Sequence, residues 1–572
     1  MLLTHKTKLL FKILVKIISV IFIFLGVAAV LTFVSVRSLQ NFQFASASNS
    51  AQIANLLLQP AQLLTFHQLQ IIEAWSNGLR IIQLTPNLNQ DLQNTINSFT
   101  PAYNLELSQE TKANQLISTN NVNDLMQLNS YYQQFFNHFQ KSWLLQKLST
   151  QTQQQQLLSA QKNLTQFTTV INHLAQDQHH IVLLLNNSDE LRSGGGFTGS
   201  LATMTLNHGA LTEPVFYDIY DLSNQITHTL SAPSGVQQYL SAGKGLALTD
   251  ANWAADFSQA STDILALLAQ TNLPSTDLLI SVNLNLIKEL LTVTGPVYLP
   301  DAVGNQPENQ TVTAENVTQL ARQQRLQFFA GDKQKKQFLQ QLYSVLKLEL
   351  VKLDQQQFQQ LGLMLAQAKN SKDLMAHSTN AEIQAILVQA QLAGTLNFTT
   401  DYFLYLIESN VGINKANQAI QRQVELHFQP HQIIIQTEFQ NQNQPLSQAE
   451  IALIENNPDL LQATHLGYVN YQRLVTNLPI NKVSLKCGDE QLKLEEDGII
   501  PIWQGQATQL GFLITLPEQT NKNCSYLITP EQALNSQQTW TIFRQPGLPA
   551  TTYYINYFDQ FSEQQLDQNL SF

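Results

Sequence analysis

The stretch Ile181-Val182-Leu183-Leu184-Leu185-Asn186-Asn187, followed by Ser188-Asp189-Glu190-Leu191-Arg192-Ser193-Gly194-Gly195-Gly196-Phe197-Thr198-Gly199, is where the chain changes character. Ile181 to Leu185 is a short continuous apolar run set between His179-His180 and Asn186-Asn187, the pattern of a strand buried on both faces. A strand-like segment, Leu201 to Leu206, and a turn at Asn207-His208-Gly209 come next, so the glycine loop joins two strands. Gly194, Gly196 and Gly199 satisfy G-x-G-x-x-G, and Asp218 lies about twenty residues further on, as a dinucleotide-binding unit requires. That fingerprint needs a helix whose N-terminus meets the pyrophosphate. Thr203, Thr205 and the turn at Gly209 favour a β-hairpin instead, and the dinucleotide reading is set aside.

Working outward, Ser234 to Ala242 reads as helical, Asp250 to Phe257 as a polar and aromatic loop, and Ala260 to Leu268 as a helix. Leu278 to Val282 reads as a strand, Leu284 to Leu291 as a helix and Val297 to Leu299 as a strand, and strands alternating with helices imply an α/β layered domain over residues 179–421. Thr313 suits an N-cap for a long helical stretch reaching Lys369, and a further helix spans Ala381 to Leu392. From Arg422 the period becomes two, in Val424, Leu426, Phe428 and in Ile433, Ile435, Thr437, Phe439, which predicts an antiparallel β-sandwich over 422–560 and a tail over 561–572. Upstream, Leu125, Leu128, Tyr132, Phe135, Phe139 and Trp143 form one helical stripe and Leu157, Ala160, Leu164, Phe167, Ile171 and Leu174 another. Residues 37–178 therefore read as a helical bundle stalk. The fold class expected is α+β and multidomain.

Residues 17–36 are uncharged and apolar, about 30 Å long as a helix, and read as a single transmembrane helix. Lys6, Lys8, Lys12 and Lys16 precede it, so residues 1–16 become a cytoplasmic tail and the bulk is extracytoplasmic. A cleaved signal peptide competes, with Ala45-Ser46-Ala47 as its site, but the apolar run is longer than a signal core. The whole chain of 572 residues carries a net charge of −11, from 30 basic and 41 acidic residues. Such a body lacks the cationic face that neutralises phosphates, which excludes nucleic acid as a partner. Membrane lipid, an envelope glycopolymer and an envelope protein remain as partners. Two cysteines exclude a disulfide-dense scaffold; Cys487 and Cys524, both extracytoplasmic, are open either to pairing or to remaining thiols.

Glu190 and Arg192, two apart at the end of a buried strand, would face one side of a cleft and could position an anion or a metal-bound phosphate; the competing reading is an ion pair bracing the glycine turn. Gly195 and Gly196 complete that loop. Asp250, Asn252 and Asp256 offer oxygen ligands without calcium-loop spacing, and loop capping explains them as well. His173, His179 and His180 have no carboxylate or cysteine at ligand spacing and read as surface histidines, so no metal site is expected. The sequence contains no G-x-S-x-G, H-E-x-x-H or Walker loop, and leaves both catalysis and cofactor undefined.

At these residues the chain resembles the bacterial envelope family catalogued as domain of unknown function 4012. The resemblance rests on Ile181 to Leu185 with Asn187, Glu190, Leu191, Arg192, Gly195, Gly196, Phe197 and Gly199, on Asp250-Ala251-Asn252-Trp253 with Asp256-Phe257, and on Asp277 to Asn283 with Gly295-Pro296-Val297. It continues through Asn410, Gly412, Asn414, Lys415, Tyr468, Tyr471, Arg473 and Gln545-Pro546-Gly547. It implies a surface protein with an N-terminal membrane helix and brings no established reaction. A fainter similarity is to the LytR-CpsA-Psr transferases, which move glycopolymers from polyprenyl pyrophosphate carriers. That similarity implies Arg192 on the phosphate and Mg held by Asp250 or Asp256, although their Pro-Arg-Asp segment is missing here.

Overall fold

The computed structural model describes residues 49–55, 58, 74–84, 114–115, 117, 119–241, 243–299, 310–323, 333–445, 448 and 467–572. The expected membrane span at 17–36 and the tail before it lie outside the described residues. Among the described residues no helix is long and apolar enough to cross a membrane. The chain is α+β, with many helices and several sheets rich in antiparallel pairs. It divides into two compact units, one of Met1–Gln178 with Leu206–Thr212, the other of His179–Thr205 with Glu213–Phe572.

In the first unit the helices Thr119–Lys141 and Gln151–Gln176 pack side by side, with the Tyr132 hydroxyl donating to the Leu157 carbonyl at 3.2 Å and the Thr165 hydroxyl to Asn129 Oδ1 at 3.0 Å. Val122, Phe136 and Phe139 are buried. Of the expected stripes Phe139 is buried, most members are half-buried, and Trp143, Ala160 and Phe167 are exposed. Ser142 breaks the first helix by capping a new one, Trp143–Leu148, which leaves Trp143 72 % exposed. Thr168 takes the buried position that the stripe assigned to Phe167. Thr150 and Gln153 start the second long helix by bonding each other's backbone N–H. A short strand, β1 (Asn114–Gln115), pairs antiparallel with Ala210–Leu211 at a hairpin tip.

Next along the chain come β2 (Gln178–Asn187), β3 (Phe197–Asn207), β4 (Ala210–Leu211), which belongs to the first unit, β5 (Val215–Asp218) and β6 (Leu278–Asn283). β2 and β6 run parallel in register from Ile181 opposite Leu278 to Asn186 opposite Asn283, as a fully apolar run predicts. The glycine loop is followed by β3 and no helix, so the hairpin reading stands. The helix Phe257–Leu268 lays Ala260, Ile264, Leu267 and Leu268 on the core that holds Val182, Leu184, Leu201, Trp253 and Leu279. β7 (Val297–Leu299) and β8 (Gln310–Val312) form a separate ribbon under the helices Val317–Gln323 and Lys333–Val351. Among the described residues the helical stretch expected to Lys369 is interrupted after Val351, where Asp354 starts the helix Gln355–Asn370 with its own capping box. β9 (Leu374–Ser378), not expected from the sequence, closes the sheet as an antiparallel edge beside β6. His179 is buried on β2, against the surface reading, because alternation along the strand turns it inward.

The remaining strands are β10 (Tyr402–Ile407), β11 (Ile420–Gln429), β12 (Gln432–Asn441), β13 (Tyr468–Thr476), β14 (Ile480–Cys487), β15 (Glu490–Leu492), β16 (Glu496–Ile502), β17 (Gly505–Leu516), β18 (Asn521–Pro530), β19 (Trp540–Ile542), β20 (Thr551–Tyr557), β21 (Gln560–Leu566) and β22 (Leu570–Ser571). They form two sheets, ordered β16-β17-β13-β10-β19-β22 and β15-β14-β18-β12-β11-β20-β21. Both sheets contribute to one core, including Leu404, Phe428, Ile435, Phe512, Tyr526 and Trp540. Three expectations are corrected here. The sheets start at Tyr402, before residue 422; strands β21 and β22 occupy most of residues 561–572, expected as a tail; and the pairs β10 with β19 and β11 with β20 are parallel, the long connection between each pair allowing the crossover that parallel strands require.

Cys487 and Cys524 lie directly opposite on β14 and β18, are both buried, and are joined as a disulfide. Closing a loop of 37 residues removes chain entropy from the unfolded state worth about 4 kcal/mol. We expect Cys487→Ser/Cys524→Ser to lose roughly 2–4 kcal/mol in denaturant melts. Detection of two free thiols in the native protein under oxidising conditions would remove the pairing.

Candidate functional site

The loop Ser188–Gly196 leaves the C-terminal end of β2, the edge at which open α/β sheets place their ligands. Its shape comes from backbone bonds: Glu190 N–H to Asn187 O at 3.2 Å, Gly195 N–H to Arg192 O at 3.0 Å and Phe197 N–H to Glu190 O at 2.8 Å. Asn252 holds it from outside, its side chain donating to Gly196 O at 2.6 Å while its own carbonyl accepts from Gly194 N–H at 3.0 Å. Gly196 has φ +138°, and a Cβ there would lie 2.2 Å from Asn187 O, so no other residue fits.

Arg192 is 1 % exposed. Its Nε donates to Asp250 Oδ1 at 3.2 Å, Nη2 to Glu190 Oε1 at 3.3 Å, and Nη1 to the carbonyls of Leu191 and Asn410 at 3.1 and 2.7 Å. Four of the five N–H donors of a guanidinium are thereby committed inside the protein. Glu190 is buried too, whereas the Asp250 carboxylate keeps 14 % of its surface and also accepts from the Thr249 hydroxyl at 2.9 Å.

Of the candidate residues, Glu190, Arg192 and Asp250 meet in one cluster, and Gly195, Gly196 and Asn252 build the loop that carries two of them. Asp256 belongs elsewhere. Its carboxylate caps the helix Phe257–Leu268 by accepting from Ser258 N–H at 2.9 Å, and further accepts from the amides of Leu396 at 2.9 Å and Trp503 at 3.1 Å. Burial pushes its carboxyl pKa up, and these amides, with that of Gln259, pull it back toward ionisation. Among the described residues no group of three or more His, Cys, Asp or Glu side chains is placed to hold a metal ion.

Residues distant in sequence complete the cluster. Asn410 N–H donates to Leu191 O at 3.0 Å, and Asn417 donates to Ser188 O through its side chain at 2.7 Å and to Asp189 O through its backbone at 3.2 Å. Gln545 bridges Arg192 O at 3.3 Å and Glu408 O at 2.7 Å, and accepts from Glu408 N–H at 2.8 Å. Gly547 sits at φ +79°, where a Cβ would come within 2.3 Å of Gly195 O, so the two loops touch backbone to backbone. Arg473 on β13 bonds the Ser193 hydroxyl and, at 2.8 Å, Trp253 O, with its guanidinium 4.6 Å over the Trp253 ring. Burial lowers its pKa, opposed by Glu496 and Tyr471.

Behind this lies a second buried ion pair, Arg422 with Glu408 at 2.6 Å, and the Tyr468 hydroxyl donates to the other Glu408 oxygen at 2.6 Å. Burial works against the Arg422 charge, but Glu408 and Tyr468 more than offset it and raise its pKa. Burial and the neighbouring Glu408 both push the Tyr468 hydroxyl up, so it stays a donor. Sequence reasoning assigned no role to Glu408, Arg422, Arg473 or Gln545. Their signal was compositional: arginine in strands that otherwise alternate apolar residues must find a buried partner.

Residues 176–325 match the family model described as "Protein of unknown function (DUF4012)". No curated protein matches the chain. Solved structures similar to it include the Lin1025 protein from Listeria innocua, at 13 % identity over 38 % of this chain and 79 % of that one with a TM-score of 0.23. Protein gbs0355 from Streptococcus agalactiae matches at 12 %, over 38 % and 74 %, with a TM-score of 0.24. A structure titled transcriptional regulator (EF0465), from Enterococcus faecalis, matches at 12 %, over 38 % and 75 %, with a TM-score of 0.21. Scores of this size define no common fold.

Removing one partner of a buried ion pair strands the other and costs about 3–5 kcal/mol. Arg192→Ala is therefore expected to lower stability by that amount in urea melts, and Asp250→Asn by less, since Asp250 is partly hydrated. A loss under 1 kcal/mol for Arg192→Ala would contradict a structural role.

Proposed function

We propose that this DUF4012 protein is a single-pass, membrane-anchored envelope protein whose extracytoplasmic body acts by binding or scaffolding at the bacterial surface, without chemistry at the glycine loop. The observation that carries this reading is the commitment of four of the five Arg192 N–H donors inside the protein. An anion-binding arginine must offer free N–H donors to its ligand, whereas this guanidinium is committed to two carboxylates and two carbonyls. The ligand edge of the α/β sheet is occupied by the chain's own residues from Asn410, Arg473 and Gln545.

Support for the compartment comes from two features of different kind. The apolar run at 17–36, flanked by lysines, has the length and charge bias of an anchor. The paired Cys487 and Cys524 suit an oxidising environment, since cytosolic thiols are held reduced.

Protease added to intact cells should digest the bulk of the chain and leave the membrane-protected N-terminus; survival of the bulk until the cells are opened would reverse the orientation. In calorimetry, a prenyl-pyrophosphate analogue with Mg should show no binding to the purified body. Saturable binding that Asp250→Ala abolishes, with the fold intact by circular dichroism, would instead establish the glycopolymer-transferase reading.

A further inference from the structure

The helix Gln355–Asn370 ends at Ser371 in a turn in which Lys372 N–H bonds Lys369 O at 3.1 Å and Asp373 N–H bonds Ala368 O at 2.8 Å. This is the Schellman arrangement, and its left-handed position is normally glycine. Here it is Lys372, at φ +59°. The residue is also buried, only 6 % exposed, with its ammonium 5.1 Å from the centroid of the Tyr405 ring and 5.0 Å from that of Phe543. A strained backbone and a buried lysine at one residue are two separate costs, of the sort that collect at switching elements.

The surroundings give the charge little help. Asp256 attracts it, but that carboxylate is already engaged by the amides of Ser258, Leu396 and Trp503. Arg544 repels it while donating to Ser371 O at 3.3 Å and to the carbonyls of Leu548, Pro549 and Leu566. Tyr405 is held neutral by burial, against which Arg473 is the strongest opposing influence. Asp373, next in the chain, accepts from Asn283, Asn285 and Ser371. The two ring faces partly compensate the charged form, so the site tolerates the ammonium without favouring it.

We propose that Lys372 is an acid-opened latch: the charged side chain leaves the Tyr405 and Phe543 rings for water and takes the Ser371–Asp373 turn with it, loosening the start of edge strand β9. Burial first, then Arg544, lowers the lysine pKa to about 7 in the closed state, from 10.5 in water. Between those limits the open form binds one proton more than the closed form, so opening grows as pH falls from about 10 to about 7. Below that both forms are charged and the dependence ends.

Hydrogen exchange of the Lys372, Asp373 and Ala376 amides, corrected for intrinsic base catalysis, tests this between pH 7.5 and 9.5. One linked proton predicts that protection of these amides rises about tenfold per pH unit. The amides of β11 and β12 should show no such slope, and Lys372→Met should make the local protection high and flat. A flat wild-type profile overturns the latch. So does a slope shared equally with β11 and β12, which would mean global unfolding, or a slope that persists in Lys372→Met. If Lys372→Met does not fold, the wild-type contrast between the two sets of amides decides alone.

Discussion

A guanidinium sealed from water must find acceptors for its N–H groups, and at Arg192 that demand organises the second unit. Its acceptors come from the loop itself, from Asp250 in the segment after the hairpin, and from Asn410 at the end of β10. No two of these segments can shift independently without stranding a buried charge, a change far more costly than an exposed ion pair lost to solvent. Arg473 and the Arg422–Glu408 pair repeat the arrangement on the side of the two sheets. The α/β layer and the sheets are therefore joined by polar contacts, not by a shared apolar surface alone.

This changes what the glycine loop means. Gly196 lets the chain turn against Asn187, and Gly547 lets a second loop lie against Gly195; each glycine serves the approach of backbone to backbone. In a nucleotide site the same absence of side chains would admit a phosphate. What separates the two cases is the occupant, and here the occupant is Gln545-Pro546-Gly547. The segment matching the family model ends at 325, yet its loop is held by residues far beyond it: the Asn410 carbonyl accepts from the Arg192 guanidinium, Arg473 bonds the Ser193 hydroxyl, and Gln545 donates to the Arg192 carbonyl.

Much of the fold was legible along the chain. The apolar run at Ile181, the hairpin turn at Gly209, the strand at Leu278 and the period-two pattern after Arg422 all became strands, because burial on one or both faces dictates residue type locally. β9 was missed because Leu374-Met375-Ala376-His377-Ser378 is short and shows no alternation, and Trp143 was placed in a stripe because the break at Ser142 is a capping event that periodicity does not register. Of the candidate site, the pairing of Glu190 with Arg192 could be read from spacing. Its third member, Asp250, came with Asp256, which looks the same in sequence but caps a helix.

The sequence by itself determined the order of helical and strand segments, the glycine loop between two strands and the acidic, cysteine-poor composition, since each follows from periodicity, turn chemistry or counting. Tertiary structure alone decided that Arg192 is enclosed rather than open, that Cys487 faces Cys524 across two strands, and that Lys372 lies between aromatic rings. Those facts depend on which distant segments meet. A residue's own type and neighbours set what it can bond to, but its burial and its partner are fixed when chain segments hundreds of positions apart compete for the same space.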